Sequence, residues 1–169
     1  MCDGSIVFVH IVFITVVSYD SIDCYCTSPG YGNVDVGFVR GFQLKKGALA
    51  YSMSHDHHNI VVVGTNDEDM AVAVNEVARL NGGLSVACDG VILNSMELPI
   101  GGLMSEKTAE EVMSQLDVLN ADAKELGCEM EAPFMSLSFI SLPTVPDLGL
   151  TDLGLVDVLE HKLIELEIE

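Results

Sequence analysis

Residues 60–63, Ile-Val-Val-Val, form an uninterrupted β-branched run that Gly64 ends and Thr65-Asn66-Asp67-Glu68-Asp69-Met70 follows. A strand with no polar break has neither face in water, because a solvated face would show alternation. A helix should begin at once after it. Thr65 and Glu68 have capping-box spacing, and Asp67, Glu68 and Asp69 put negative charge at the positive end of the helix dipole. Directly before the strand, Ser54-His55-Asp56-His57-His58-Asn59 gathers three of the five histidines. Imidazoles and a carboxylate beside the end of a buried strand mark the place where chemistry would sit.

Helices and strands can be laid out around that junction. Strands are expected over 34–39 and 48–53, the second running into the histidines. Met70, Val74, Val77 and Ala78 fall on one side of a helix over 66–81, which Asn81-Gly82-Gly83 closes as a glycine cap. Segments 84–88 and 91–96 flank Asp89-Gly90, the dipeptide of a type I′ hairpin. A glycine-containing loop over 99–104 precedes a helix that starts at Ser105 or Thr108, with Thr108 and Glu111 at capping-box spacing, and stops at Gly127. Its stripe Val112, Leu116, Leu119, Ala123 should cover the sheet. Segment 134–142 alternates and reads as a strand stopped by Pro143 and Pro146. Segment 147–158, with its loose Asp-Leu-Gly-Leu repeat, reads as a loop with a short turn. Segment 163–169 alternates as an edge strand. The expected fold class is α+β: a mixed, mostly antiparallel β-sheet structure with two main helices, in a single domain over 1–169, with the histidine-bearing turn at one end of the sheet.

Composition removes several function classes. A formal charge of −19, concentrated from Glu106 onward, sets aside nucleic acid and anionic membranes as partners, since both need clustered Lys and Arg. The apolar run 5–17 is shorter than the roughly 20 residues a membrane span needs, and His10 interrupts it. No basic residue precedes it and no small-residue cleavage site follows, so it is expected to supply one or two core strands rather than a signal or an anchor. Five cysteines, an odd number without an export signal, point to a reducing cytoplasm. Cys24 and Cys26 lack the second pair that zinc sites show and are expected to be buried or incidental thiols. Residues 27–33 are turn-rich but do not meet the dinucleotide pattern G-x-G-x-x-G.

Four ordered blocks carry a resemblance: Val36-Gly37-Phe38-Val39-Arg40-Gly41-Phe42, then His55-Asp56-His57-His58-Asn59-Ile60 with Val62-Val63-Gly64-Thr65-Asn66-Asp67-Glu68-Asp69-Met70, then Leu98-Pro99-Ile100-Gly101-Gly102-Leu103-Met104-Ser105, then Pro133-Phe134-Met135-Ser136-Leu137-Ser138-Phe139. Over about 33–158 the chain resembles the C-terminal domain of microbial adenine deaminases, with His57 where that pattern has Ser; the resemblance is weakest over 5–17 and leaves the origin of residues 1–12 open. The resemblance implies a parent enzyme of purine salvage that hydrolyses adenine to hypoxanthine and ammonia. It also implies a divalent metal of manganese, iron or zinc type, held in an amidohydrolase-type barrel N-terminal to the matched domain. Such a barrel needs about 250 residues, more than the 169 present. The barrel is therefore expected as a partner in cis or in trans, and this chain is expected to hold no cofactor and no catalytic residue and to be inactive alone.

His55, Asp56, His58 and Asn59 are the substrate-proximal candidates, and several roles fit them. They form a structural turn in which Asp56 and Asn59 bond local backbone, or they face the mouth of the barrel and help position adenine, close a lid or orient a catalytic group. His55, His57 and His58 are also the metal candidates, as in an independent metallohydrolase. A metal site requires at least three converging ligands with an oriented second shell, so no metal is expected in this chain. A further alternative is a stand-alone, non-catalytic module that binds a small ligand or assembles a homo-oligomer. His10 and His161 are isolated. The acidic helix face from Glu106 to Glu125 is expected to be solvated, whereas 98–104, apolar and glycine-rich, suits contact with a partner domain.

Overall fold

Strand β4, Asn59–Gly64, is buried at every position. It lies inside the computed structural model, which describes residues 10–17, 21–27, 37–55, 59–145, 147–151 and 153–165. On one side β4 pairs in parallel with β1, His10–Val17, and on the other antiparallel with β3, Ala48–Tyr51. Strands β2, Ser21–Thr27, β5, Gly83–Cys88, and β6, Val91–Glu97, complete a six-stranded sheet in the order β2-β1-β4-β3-β5-β6. Every neighbouring pair except β1 with β4 is antiparallel. Both β4 and β5 run against β3 and so run parallel to each other, and helix α1, Asp67–Arg79, is the crossover between them.

The two faces of this sheet carry separate cores. Ala50, Ile60 and Val62 meet Met70, Ala73, Val74 and Val77 of α1. Leu49, Tyr51, Val61, Val63, Leu84 and Val86 meet α2, Ala109–Glu125, and α3, Pro133–Ile140, through Leu119, Ala123, Phe134 and Leu137. Successive residues of β4 thus serve opposite layers, which is why the run has no polar member. A second sheet of β7, Leu148–Thr151, β8, Gly154–Asp157, and β9, Lys162–Ile164, is antiparallel throughout and joins the second core through Leu150 and Leu155. The class is α+β, mixed and mostly antiparallel, as expected.

Several local expectations are corrected. Segment 134–142 is not a strand: α3 covers most of it. Pro133 at its first turn is pre-organised for a helix, and Phe134, Leu137 and Ser138 point inward while Met135 and Phe139 are exposed, a helical spacing hidden in a run that also alternates. Segment 147–158 is not a loop: β7 and β8 form a hairpin in which Leu148, Gly149 and Leu150 of the first copy lie opposite Asp157, Val156 and Leu155, and Leu153 of the second copy falls in the turn. Residues 37–40 form no strand, and 34–36 lie outside the described residues. The α1 cap is Asn66, whose side chain accepts from the Asp69 backbone N–H, in place of the expected Thr65. The helix ends on Asn81 in the left-handed region (φ 58°), where Gly82 N donates to Val77 O and Asn81 N to Ala78 O, the Schellman pattern. The capping box of α2 and the positive-φ pair Asp89–Gly90 are present as expected.

Candidate functional site

Residues 52–55 leave β3 at the sheet end remote from the β4–α1 junction, and α3 holds His55 there. The His55 backbone N–H donates to the Ser138 carbonyl at 3.1 Å. The Ser54 hydroxyl pairs with that of Ser141, both buried. The His55 ring, half-buried, stands edge-on to Phe139 with ring centroids 4.4 Å apart and planes at 62°. Asn59 opens β4 fully buried, and its Cα is in register with that of His10 on β1. His10 is isolated along the chain, yet the parallel pairing brings its backbone to the end of the sheet where the turn lies. Asp56, His57 and His58 lie outside the described residues. Among the described residues no three His, Cys, Asp or Glu side chains converge to hold a metal ion.

The same sheet end opens into a cleft of about 530 Å³, walled by Tyr51, Met53, Leu84, Leu116, Phe134 and Met135 among others. Its rim is the loop after β6. Ser52 Oγ donates to the Gly102 carbonyl at 2.6 Å and accepts from the Gly83 N–H at 2.8 Å, so one hydroxyl fastens the ends of β3 and β5 to the rim. Ile100 and Met104 then bond each other's backbone around Gly101 and Gly102, both at positive φ. The Tyr51 hydroxyl donates to the Met53 sulfur, at 3.2 Å, and burial pushes its pKa up to about 12, so it stays protonated at neutral pH. The cleft therefore offers mostly apolar surface, with thioethers, a neutral phenol and the polar side chains of Ser105, Lys107 and Asn120. Its helical wall is masked in the sequence, because 134–142 also fits a period of two. Met135 and Phe139 at i and i+4 are the signal that could have revealed it.

Over residues 21–162 the sequence matches the family described as adenine deaminase C-terminal domain. The chain belongs to that family. An adenine deaminase of Desulforamulus reducens is 63% identical over 138 residues, 82% of this chain and 24% of that protein. One of Desulfatibacillum aliphaticivorans is 57% identical over 137 residues, 81% and 24%. One of Dehalococcoides mccartyi is 52% identical over 136 residues, 80% and 24%. The chain spans about a quarter of the length of the curated relatives it matches. The family match begins within the span of β2 and reaches the first residue of β9, so this adenine deaminase C-terminal domain extends past the 33–158 carried by the four motifs.

Proposed function

We propose that this domain serves an adenine deaminase by packing beside its catalytic portion, and that it does none of the bond-breaking itself. In that enzyme, of amidohydrolase type and acting in cytoplasmic purine salvage, adenine is hydrolysed to hypoxanthine and ammonia by a hydroxide that a divalent metal activates outside this chain. The observation that carries the proposal is the 63% identity to an adenine deaminase of which the chain matches only 24%. The turn that starts at His55 and ends at Asn59, including Asp56 and His58, faces the catalytic portion and orients groups there. Support for this role is the seating of His55 on α3, which leaves the imidazole half-exposed on a fixed backbone.

Ammonia release from adenine tests it. The purified 169-residue chain is expected to give no signal above buffer with manganese, iron or zinc present, while the full-length Desulforamulus reducens enzyme does. Release proportional to the concentration of the isolated chain would overturn the assignment of chemistry to another part of the enzyme.

A further inference from the structure

The cleft between α2, α3 and the rim loop is built to be covered. Met104 (57% exposed), Met135 (51%), Ile100 and Phe139 (each 43%) stand around its mouth and along the adjoining face of α3. In a chain with 26 acidic side chains, the described cleft lining contains no Asp or Glu and a single cation, Lys107. Lys107 Nζ already lies 3.4 Å from Glu97 and donates to Gln115 Oε1 at 3.2 Å. Covering this surface thus dehydrates no unpaired charge, whereas covering the outer face of α2 would strip water from Glu110, Asp117 and Glu125, all exposed. The wall also contains Asn120, whose Oδ1 is buried without a hydrogen-bond partner. An incoming backbone N–H would supply the donor it lacks.

We propose that the occupant of this cleft is an uncharged, apolar segment of the remaining three quarters of the adenine deaminase polypeptide, seated between Met104 and Met135. The assignment rests on the domain's place in that enzyme, proposed above. It follows from the length of chain outside this structure: relatives join the matched quarter to a body about three times its size, which must cover part of it. This face has both the apolar exposure and the low charge that a permanent interface needs. Flexible thioethers adapt to the shape of what enters. Because α3 forms a wall of the cleft through Met135 and seats His55 through Ser138 and Phe139, docking here carries the histidine turn to the same body.

Amide hydrogen exchange decides it, comparing the free 169-residue chain with a full-length Desulforamulus reducens enzyme whose matching C-terminal quarter is replaced by this sequence. Peptides covering 98–105 and 133–140 are expected to exchange about tenfold or more slowly in the full-length protein, with 154–164 unchanged. Met104→Lys and Met135→Lys, at exposed positions, should leave the melting temperature of the free chain unaltered and abolish that protection. If protection appears only elsewhere, such as over the smaller hollow at Phe38 and Leu148, the inference falls while the domain's place in the enzyme stands. If the free chain doubles its mass and protects the same peptides, a second copy is the occupant and the inference falls. If the hybrid neither deaminates adenine nor protects any part of the domain, while the parent enzyme is active, the proposed function itself fails.

Discussion

Asp69 accepts hydrogen bonds from the Gly90 backbone N–H and from Asn66 Nδ2, both at 2.8 Å, and is only 3% exposed. From sequence it belongs to an acidic first turn that favours the helix dipole; in the fold it also ties α1 to the β5–β6 turn. Asp69→Ala should cost roughly 2–3 kcal/mol, because it leaves a shielded N–H unpaired. Urea unfolding measures this, and a loss below about half a kcal/mol would reduce Asp69 to a helix-end charge. Gly82 is constrained from the opposite direction: its φ is +117° and a Cβ there would lie 2.2 Å from Gly102 Cα. Gly82→Ala should cost roughly 3 kcal/mol or more and displace the rim loop. Amide exchange over 98–105 would then rise before the rest of the domain loosens.

At the scale of the element, α2 begins with a complete capping box. Glu111 Oε2 accepts from the Thr108 N–H and hydroxyl at 2.9 Å each, and Thr108 Oγ1 accepts from the Glu111 N–H at 3.3 Å. Thr108→Ala should destabilise by about 1 kcal/mol. The Thr108 backbone bond, then the hydroxyl bond, holds the Glu111 pKa below the ordinary carboxylate value. The Arg79 hydrogen bond, with help from Ser95, does the same for Glu76. A carboxyl whose pKa is lowered by folding adds stability above its unfolded pKa of about 4.3 and loses it as pH falls through the lower folded value. Stability followed by circular dichroism should therefore fall as the solution is acidified below about pH 4.3, and less steeply in Glu111→Gln. A slope unchanged by that substitution would show the carboxylate bonds to be idle. Capping chemistry of this kind is local, which is why α2 and the β5–β6 hairpin are legible in the sequence. Helix α3 is not, because eight residues of mixed spacing satisfy both periods until the core selects one.

For the whole molecule, one sheet separates two apolar clusters, and β4 contributes to each. Neither cluster can empty without exposing the strand they share, so the described body should unfold in a single step. With no tryptophan and four tyrosines in the chain, the tyrosine fluorescence lost in Tyr51→Phe is the probe of the Tyr51 side and far-ultraviolet dichroism that of the helices. Coincident urea transitions are expected, and separated midpoints would mean the layers are independent. No carboxylate lines the described cleft, while Glu110, Asp117 and Glu125 of α2 are exposed, which leaves the cleft as an apolar region of the described surface able to meet another body.

The sequence by itself determined whatever depends on neighbours along the chain: a strand covered on both faces at 60–63, the Asp89–Gly90 turn, the α2 cap, and motifs specific enough to point to the adenine deaminase family. Only the tertiary structure decided that 133–140 is a helix, that 148–151 and 154–157 pair as a hairpin, that His10 comes into register with Asn59, and that α3 joins His55 to an apolar cleft. The physical reason is range. Caps and tight turns are satisfied by atoms a few residues apart, whereas strand order, the choice between competing periods and the position of an uncovered face are settled by burial among segments distant in sequence.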